Sequence, residues 1–385
     1  MASAAAGGGN MNPGIGVISY NMSVFSAMGD KVTPHASEYS FLQRATITPE
    51  GPTNFFMNAL KHLHENATSP AINAKVIGIQ EFHPPTLKMI MDKLNTKGNL
   101  AHHIFSKKIT NNACVLTIWD KVLLGDISGV PYDEDLIFRP DDTLIEGLGL
   151  AIKKTLPTGV ILPMDEGRPI SIIRTTNGYA LINFHGINRP KYKGDGKSET
   201  EIDNANILKT LINIHCELAK ISDIDPKKII IMCDSNDRTH GIMNKDPPLI
   251  INGAHFHDGH LGEDGAISCC YNWDSCGIKP DDMSAEAKAT KNANATKGFS
   301  GKISLGDAGA ESKYVYTGDY VLSTNFKKSV TAVESPLDEK GASIASDHKL
   351  VYAILPMPMA GGRRKNKTRK PKAKKSKKSK KSKKN

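Results

Sequence analysis

Short apolar runs with strand character recur along this chain, at residues 14–20, 75–80, 113–119, 147–152, 169–174, 179–184, 228–233, 315–324, 329–333 and 350–355. Ile229, Ile230, Ile231, Met232 and Cys233 form a wholly apolar run, the pattern of a strand covered on both faces. Other segments keep the helical period instead. Phe55, Phe56, Ala59, Leu60 and Leu63 share one face of a helix expected over 54–65. A second is expected over 87–94, behind Pro84 and Pro85. A long one over 201–220 carries Ile207, Leu208, Leu211, Ile212, Ile214, Cys216 and Leu218. Residues 238–312 are polar, Gly-rich and irregular, with a short helix expected at 284–291, and Pro356 and Pro358 stop the last strand. No internal repeat interrupts this order. Apolar strands mixed with alternating ones, and few helices, predict two packed mixed sheets with helices outside.

Composition narrows the class. At 39% hydrophobic and 23% charged residues over a length of 385, the chain is an ordinary globular protein. No run reaches the roughly 18 apolar residues that cross a bilayer, so no transmembrane segment is expected. Residues 1–10 lack the charged and apolar regions of a secretory signal, which predicts a cytoplasmic or nuclear location. The six cysteines are few and irregularly spaced, consistent with a reducing compartment. The organisation expected is a disordered leader over 1–13, one domain over 14–358 with the irregular insert inside it, and a disordered tail over 359–385.

The formal charge of +10 is unevenly spread. Of 50 Lys and Arg, 15 lie in residues 361–385, which hold no acid; the other 35 face 40 acidic residues, so residues 1–360 carry a net −5. A basic tail of this kind attracts polyanions by counterion release, without sequence preference. Nucleic acid is the partner it points to, with an anionic membrane surface as the other. A nuclear-localisation or solubility role accounts for the same composition.

Chemistry collects where the apolar runs stop. Asn21 follows the first strand, Glu81 the run 76–80, His185 the run 181–184, and Asp234 and Asn236 the run 229–233. Asp347 and His348 come just before the last strand, and Asp319 sits in the stretch 315–322. One Asp after a strand is usually a turn residue. A carboxylate inside an apolar stretch needs a partner, and this many polar strand ends are what a metal–phosphate centre requires. Hard oxygen ligands suit Mg²⁺; histidine–carboxylate pairs supply acid–base chemistry near neutral pH.

The ordered set Ser19-Tyr-Asn21, Gln80-Glu81, Asn183-Phe-His185, Asp234-Ser-Asn236, Gly318-Asp-Tyr-Val-Leu322 and Ser346-Asp-His348 resembles the endonuclease/exonuclease/phosphatase (DNase I-like) superfamily. The resemblance implies a four-layered α/β sandwich with the site across the top of two sheets. It implies Glu81 as principal ligand of Mg²⁺ (or Mn²⁺), with Asn21 and Asp347 completing the metal site. It implies that Asp234 aligns or deprotonates the attacking water, that Asn236 orients it and the phosphate, that His348 with Asp319 stabilises or protonates the phosphoryl oxygens, and that His185 touches the scissile phosphate. The implied activity is hydrolysis of phosphoester bonds in nucleic acid, by an endo- or exonuclease. Two other readings stay open: a phosphatase or phospholipase acting on inositol phosphates or lipid headgroups, and a catalytically inactive scaffold. Departures concern the subfamily. Ser235 stands where the family usually has Phe, Gly318 precedes Asp319 where abasic endonucleases have Arg, and the Trp-x-Asp-Arg motif of inositol phosphatases is missing. The basic tail also resembles those of proteins from large DNA viruses, which would set the protein in a virion or viral factory.

Two further signals remain. Residues 194–198 resemble the end of a P-loop but lack its first Gly, and read better as a loop whose neighbours Arg189, Lys191 and Lys193 touch substrate phosphates. His255, His257, His260, Cys269, Cys270 and Cys276 form either a zinc cluster of irregular spacing or a polar insert with inward cysteines.

Overall fold

The computed structural model describes residues 14–22, 46–48, 51–53, 55–82, 84–105, 114–136, 160–161, 168–186, 191–192, 204–237, 242, 248–261, 268, 301–303, 313–315, 318–336, 345–346 and 348–357. The leader, the strand expected over 147–152, the helix expected over 284–291, the P-loop-like segment and the basic tail lie outside these residues.

Two sheets form the body. The six-stranded sheet takes β1 (Ile15–Asn21), β2 (Ala74–Phe82), β3 (Leu100–Ile104) and β4 (Cys114–Asp120). The five-stranded sheet takes β5 (Tyr132–Asp135), β6 (Pro169–Arg174), β7 (Ala180–His185), β8 (Ile229–Asp234) and β9 (Asp319–Leu322). The chain then returns to the first sheet with β10 (Lys328–Val333) and β11 (Leu350–Leu355). Strand order is β10-β11-β1-β2-β4-β3 in one sheet and β9-β8-β7-β6-β5 in the other. Within these sheets β1 runs parallel to β2 and β7 to β8, and the other neighbours are antiparallel.

Strand alternation builds the layers. Ile18, Tyr20, Ile77 and Ile79 point out of the first sheet onto Phe56, Ala59, Leu60 and Leu63 of α1 (Phe55–Thr68), with α2 (Leu87–Leu94) beside them. Ile182, Phe184, Ile229 and Ile231 point out of the second onto Ile207, Leu208, Leu211 and Ile212 of α3 (Asn204–Leu218). Between the sheets Val17, Val76 and Trp119 meet Leu181, Ile230, Met232 and Val321. The result is helix, sheet, sheet, helix, as the sequence pattern and the resemblance implied.

The inner layer is close-fitting. A Cβ on Gly78 would lie 2.7 Å from the Met232 Cβ, so glycine here lets β2 approach β8. Buried amides then tie one sheet to the other: Gln80 Nε2 donates to Asn183 Oδ1 at 2.8 Å, and Asn183 Nδ2 to the Leu116 carbonyl at 3.0 Å. Satisfied on both sides, these groups resist a slide of the sheets beneath the site.

Some elements differ from expectation. The strand expected over 315–324 is divided: Lys313–Val315 pairs with Gly301–Ile303, and Asp319 begins β9 rather than lying inside a longer run. Strands β3 and β5 carry too little apolar pattern to be expected. They are the sheets' edges, joined by His103 Nε2 and Asp133 Oδ2 at 2.6 Å.

Candidate active site

Each parallel pair delivers two strand ends to the same edge of the sandwich. In the first sheet Asn21 lies opposite Gln80, next to Glu81; in the second His185 lies opposite Asp234. Antiparallel β9 adds its first residue, Asp319, opposite Asp234. Antiparallel β11 starts here too, bringing His348.

The side chains form one connected group across both sheets. Asn21 Nδ2 donates to Asp234 Oδ2 at 2.9 Å and to Glu81 Oε1 at 3.3 Å. His185 Nε2 lies 3.4 Å from Asp234 Oδ2 and 3.9 Å from Glu81 Oε1. On the far side of Asp234, His348 Nε2 is 3.9 Å from Oδ2, and its Nδ1 is 2.9 Å from Asp319 Oδ2. The structure therefore brings together Asn21, Glu81, His185, Asp234, Asp319 and His348.

Local backbone devices aim them. The β2–β4 register shifts between Ile79 and Phe82, and Glu81 takes φ 49°, a left-handed conformation rare for such a residue. The side chain is 19% exposed, against 1% for Asp234 and 0% for Asp319. Asn236, at φ 52°, donates its N–H to Asp234 Oδ1 at 2.9 Å and its Nδ2 to the Gly186 carbonyl at 3.0 Å. Any side chain at position 186 would collide, because its Cβ would fall 1.9 Å from the Ser235 carbonyl oxygen. Ser346 Oγ donates to the Asn21 carbonyl at 2.6 Å and accepts from the His348 N–H at 3.0 Å, fixing the turn before β11.

Sequence reasoning missed Ser268, inside the irregular insert. Its Oγ accepts from the N–H groups of Gly318 (3.1 Å) and Asp319 (2.9 Å), and its carbonyl accepts from Lys349 at 2.6 Å. It is wholly buried and stitches the strands that carry Asp319 and His348. A lone serine in an aperiodic segment gives no signal to find it by.

Protonation follows from burial and neighbours. Burial works against ionisation of Asp234, but His348, His185 and the Asn236 N–H outweigh it and hold the carboxyl well below its ordinary range. Asp319 goes the other way: burial, reinforced by the Asp234 charge, outweighs His348 and Ser268 and raises it. Burial, then the charges of Asp234 and Asp319, push the Cys233 thiol well up, so no thiolate forms there.

Asp347, Arg189 and Lys193 lie outside the described residues, while Lys191 opens the short strand Lys191–Tyr192, paired with Val160–Ile161. The cysteines of the zinc expectation also lie outside. Of its histidines, His257 Nδ1 accepts from the Gly259 N–H at 3.0 Å, and His260 Nδ1 is 3.5 Å from Asp258 Oδ2. Among the described residues, the His/Cys/carboxylate group whose donors close to within 4.8 Å of one another is Asp234, Asp319 and His348.

These donors fit a hard divalent cation. The set is carboxylate, amide and imidazole without thiolate. Asp319 is already engaged by the Nδ1 of His348, whereas Glu81 is the partly open carboxylate of the group. His185 turns its Nε2 to Asp234 and Glu81, while its Nδ1 is buried without a hydrogen-bond partner, at a cost of about 1–3 kcal/mol.

No known family profile matches the chain, and no curated protein does. Solved structures similar to it include nucleic-acid and phosphoester enzymes and also Cimex nitrophorin, an NO-binding protein, all at 14% identity or less. One is ANGEL2, a 2′,3′-cyclic phosphatase, in complex with adenosine-2′,3′-vanadate: 13% identity over 89% of this chain and 96% of that one, TM-score 0.42. The human Nocturnin catalytic domain with bound sulfate gives 10% identity, coverage of 90% and 95%, and a TM-score of 0.41. The Xenopus laevis APE2 catalytic domain gives 14%, 90% and 94%, and 0.39. Likeness at this level assigns neither activity nor substrate.

Proposed function

We propose that this protein is a divalent-cation-dependent phosphodiesterase that hydrolyses nucleic acid. One observation carries the reading: Glu81, Asn21, His185, Asp234, Asp319 and His348 meet at the edge to which both parallel strand pairs point, in one group joined across the sheets by hydrogen bonds and close charge contacts.

The described geometry supports roles for Glu81, Asn21, Asp234, Asn236, His185 and His348, and those of Asp347, Arg189, Lys191 and Lys193 rest on the sequence. Glu81 and Asn21, with Asp347, hold the cation, Mg²⁺ or Mn²⁺ by donor hardness. Once bound, the cation neutralises charge on the phosphoryl oxygens. Asp234, held well below the ordinary carboxylate range, acts as a fixed acceptor that orients the attacking water. Asn236, clamped to Gly186 and to Asp234, directs that water. His348, tethered through Nδ1, keeps Nε2 for the phosphate and donates to an oxygen that gains charge. His185 contacts the scissile phosphate. Arg189, Lys191 and Lys193 bind flanking phosphates. The basic tail favours a polymeric polyanion over a small phosphoester.

Turnover of labelled DNA, RNA, inositol polyphosphate and sphingomyelin, in Mg²⁺ or EDTA, tests this beside a Glu81→Ala control. Metal-dependent cleavage of a nucleic acid, lost in the control, is the expected result. Cleavage of the small or lipid substrates alone would refute the substrate, and silence throughout would refute the reaction.

A further inference from the structure

The end of the sandwich remote from the active site carries a second set of polar and aromatic groups that the proposed reaction does not use. A groove of about 670 Å³ opens there, lined by His257, His260, Phe326, Lys327, Lys328 and their neighbours, with no carboxylate in its lining. Its position follows from the strands. The N–H of Lys327 donates to the Ile354 carbonyl, and Lys328 pairs with Ile354, at the end of β11 that faces the start of β1. Asn21 and His348 stand at the other end of these strands.

Two features of the groove are independent of each other. The first is a row of rings. His255 and His257 have centroids 5.7 Å apart, and His257 and Phe326 5.3 Å, each pair tilted. Burial, with His255 beside it, lowers the pKa of His257, so at neutral pH it is a flat uncharged ring rather than a cation. The second is fixed positive charge: Lys327 and Lys328 are exposed, and Lys328 Nζ donates to the Tyr352 hydroxyl and lies 4.6 Å from that ring's centroid. Rings that accept bases by their faces, beside ammonium groups that meet phosphates, make a surface for single-stranded nucleic acid.

Where the chain leads from here adds to the case. Beyond Met357, at this same end, follow residues 361–385 with 15 Lys or Arg and no acid. The sequence after Met357 carries the same sign of charge as the groove, so one polyanion suits both. A bilayer is flat and does not enter a groove this size; an extended strand does.

We propose that the groove formed by His257, Phe326, Lys327 and Lys328 is a second nucleic-acid site, which binds a single strand by stacking and phosphate contacts while the active site acts on another part of it. Only the choice of ligand rests on the function proposed above. The groove acts as an anchor, which keeps a cleaved polymer attached between turnovers.

The test is fluorescence anisotropy of a labelled oligothymidylate or oligouridylate on the full chain in EDTA, across a series of salt concentrations. Lys327→Gln with Lys328→Gln should weaken binding about tenfold and make the log–log salt slope shallower by about 1.4, at about 0.7 per phosphate contact on a single strand. Phe326→Leu keeps an apolar side chain against the core but removes the ring; it should weaken binding about fivefold with the slope unchanged. Both variants should melt like the parent and turn over a small chromogenic phosphodiester at the parent rate. Unchanged oligonucleotide affinity in both would overturn the proposal, leaving the tail as the binder. So would anionic phospholipid vesicles that lose affinity for the lysine variant while the oligonucleotide does not. A parent that binds through the groove but cleaves nothing supports the groove and removes the proposed reaction instead.

Discussion

Asp319 and His348 come from different sheets and meet at the seam between them. Asp319 opens β9 at the edge of one sheet, His348 precedes β11 in the other, and Oδ2 lies 2.9 Å from Nδ1. Both side chains are buried, so the pair fixes the imidazole in orientation.

Asp319→Asn keeps the size of the side chain but replaces the carboxyl group that holds His348 Nδ1 by an amide. On a small phosphodiester, kcat should fall about 10²- to 10⁴-fold with KM nearly unchanged. Steady-state kinetics check it; a loss confined to KM would mean that the pair binds substrate and does no more.

Glu81→Gly should separate stability from activity. Glycine adopts a positive φ without strain, so relief at φ 49° should stabilise the fold by about 1 kcal/mol in metal-free buffer. Turnover should vanish. Thermal unfolding with added Mg²⁺ gives a second reading. The parent should gain about 2.7 kcal/mol at a hundredfold excess over Kd, and the variant nothing. A variant still stabilised by Mg²⁺ would move the cation to the cluster of Asp234, Asp319 and His348.

Ser268→Ala leaves the buried N–H groups of Gly318 and Asp319 without an acceptor, which should cost about 1–3 kcal/mol. Because those N–H groups position β9, kcat should drop while Ser268→Thr, which keeps the hydroxyl, recovers part of it. Denaturant unfolding and kinetics on both variants decide whether Ser268 serves the site or the fold alone.

His62 gives a pH dependence away from the site. It is 8% exposed, its Nε2 has no hydrogen-bond partner, and burial lowers its pKa below 6.5 despite the opposing pull of Glu65. The unfolded chain therefore takes up this proton more readily than the folded one. Stability is full above about pH 6.5 and declines as pH falls through that value. His62→Gln should flatten the decline, measured as unfolding free energy across that range; an unchanged slope would assign it to other groups.

Much of the site was legible because a strand that ends in a polar residue is a visible break in pattern. Asn21, Glu81, His185 and Asp234 each stop an apolar run, and the folded chain gathers them because parallel pairing aligns such ends. Two edge strands, β3 and β5, were not legible. Leu100–Ile104 contains two histidines and Tyr132–Asp135 three acids, so neither shows the apolar alternation of a half-buried strand. Ser268 acts through backbone groups distant in sequence, and no local pattern encodes that. The positive φ at Glu81 arises from a register shift against β4, which becomes visible when the partner strand is in place.

The pairing of the outermost strands in sequence governs when chemistry can begin. Ile15 lies against Leu355, and Ser346 holds the Asn21 carbonyl across 325 positions. A chain emerging from the ribosome thus has Asn21 and Glu81 long before it has His348, and β1 lacks its antiparallel neighbour until β11 arrives. Long-range closure of this kind is slow relative to local structure. If the proposed activity is correct, the unfinished protein cannot cut nucleic acid, the messenger that encodes it included, and becomes competent only after the last strand closes the first sheet.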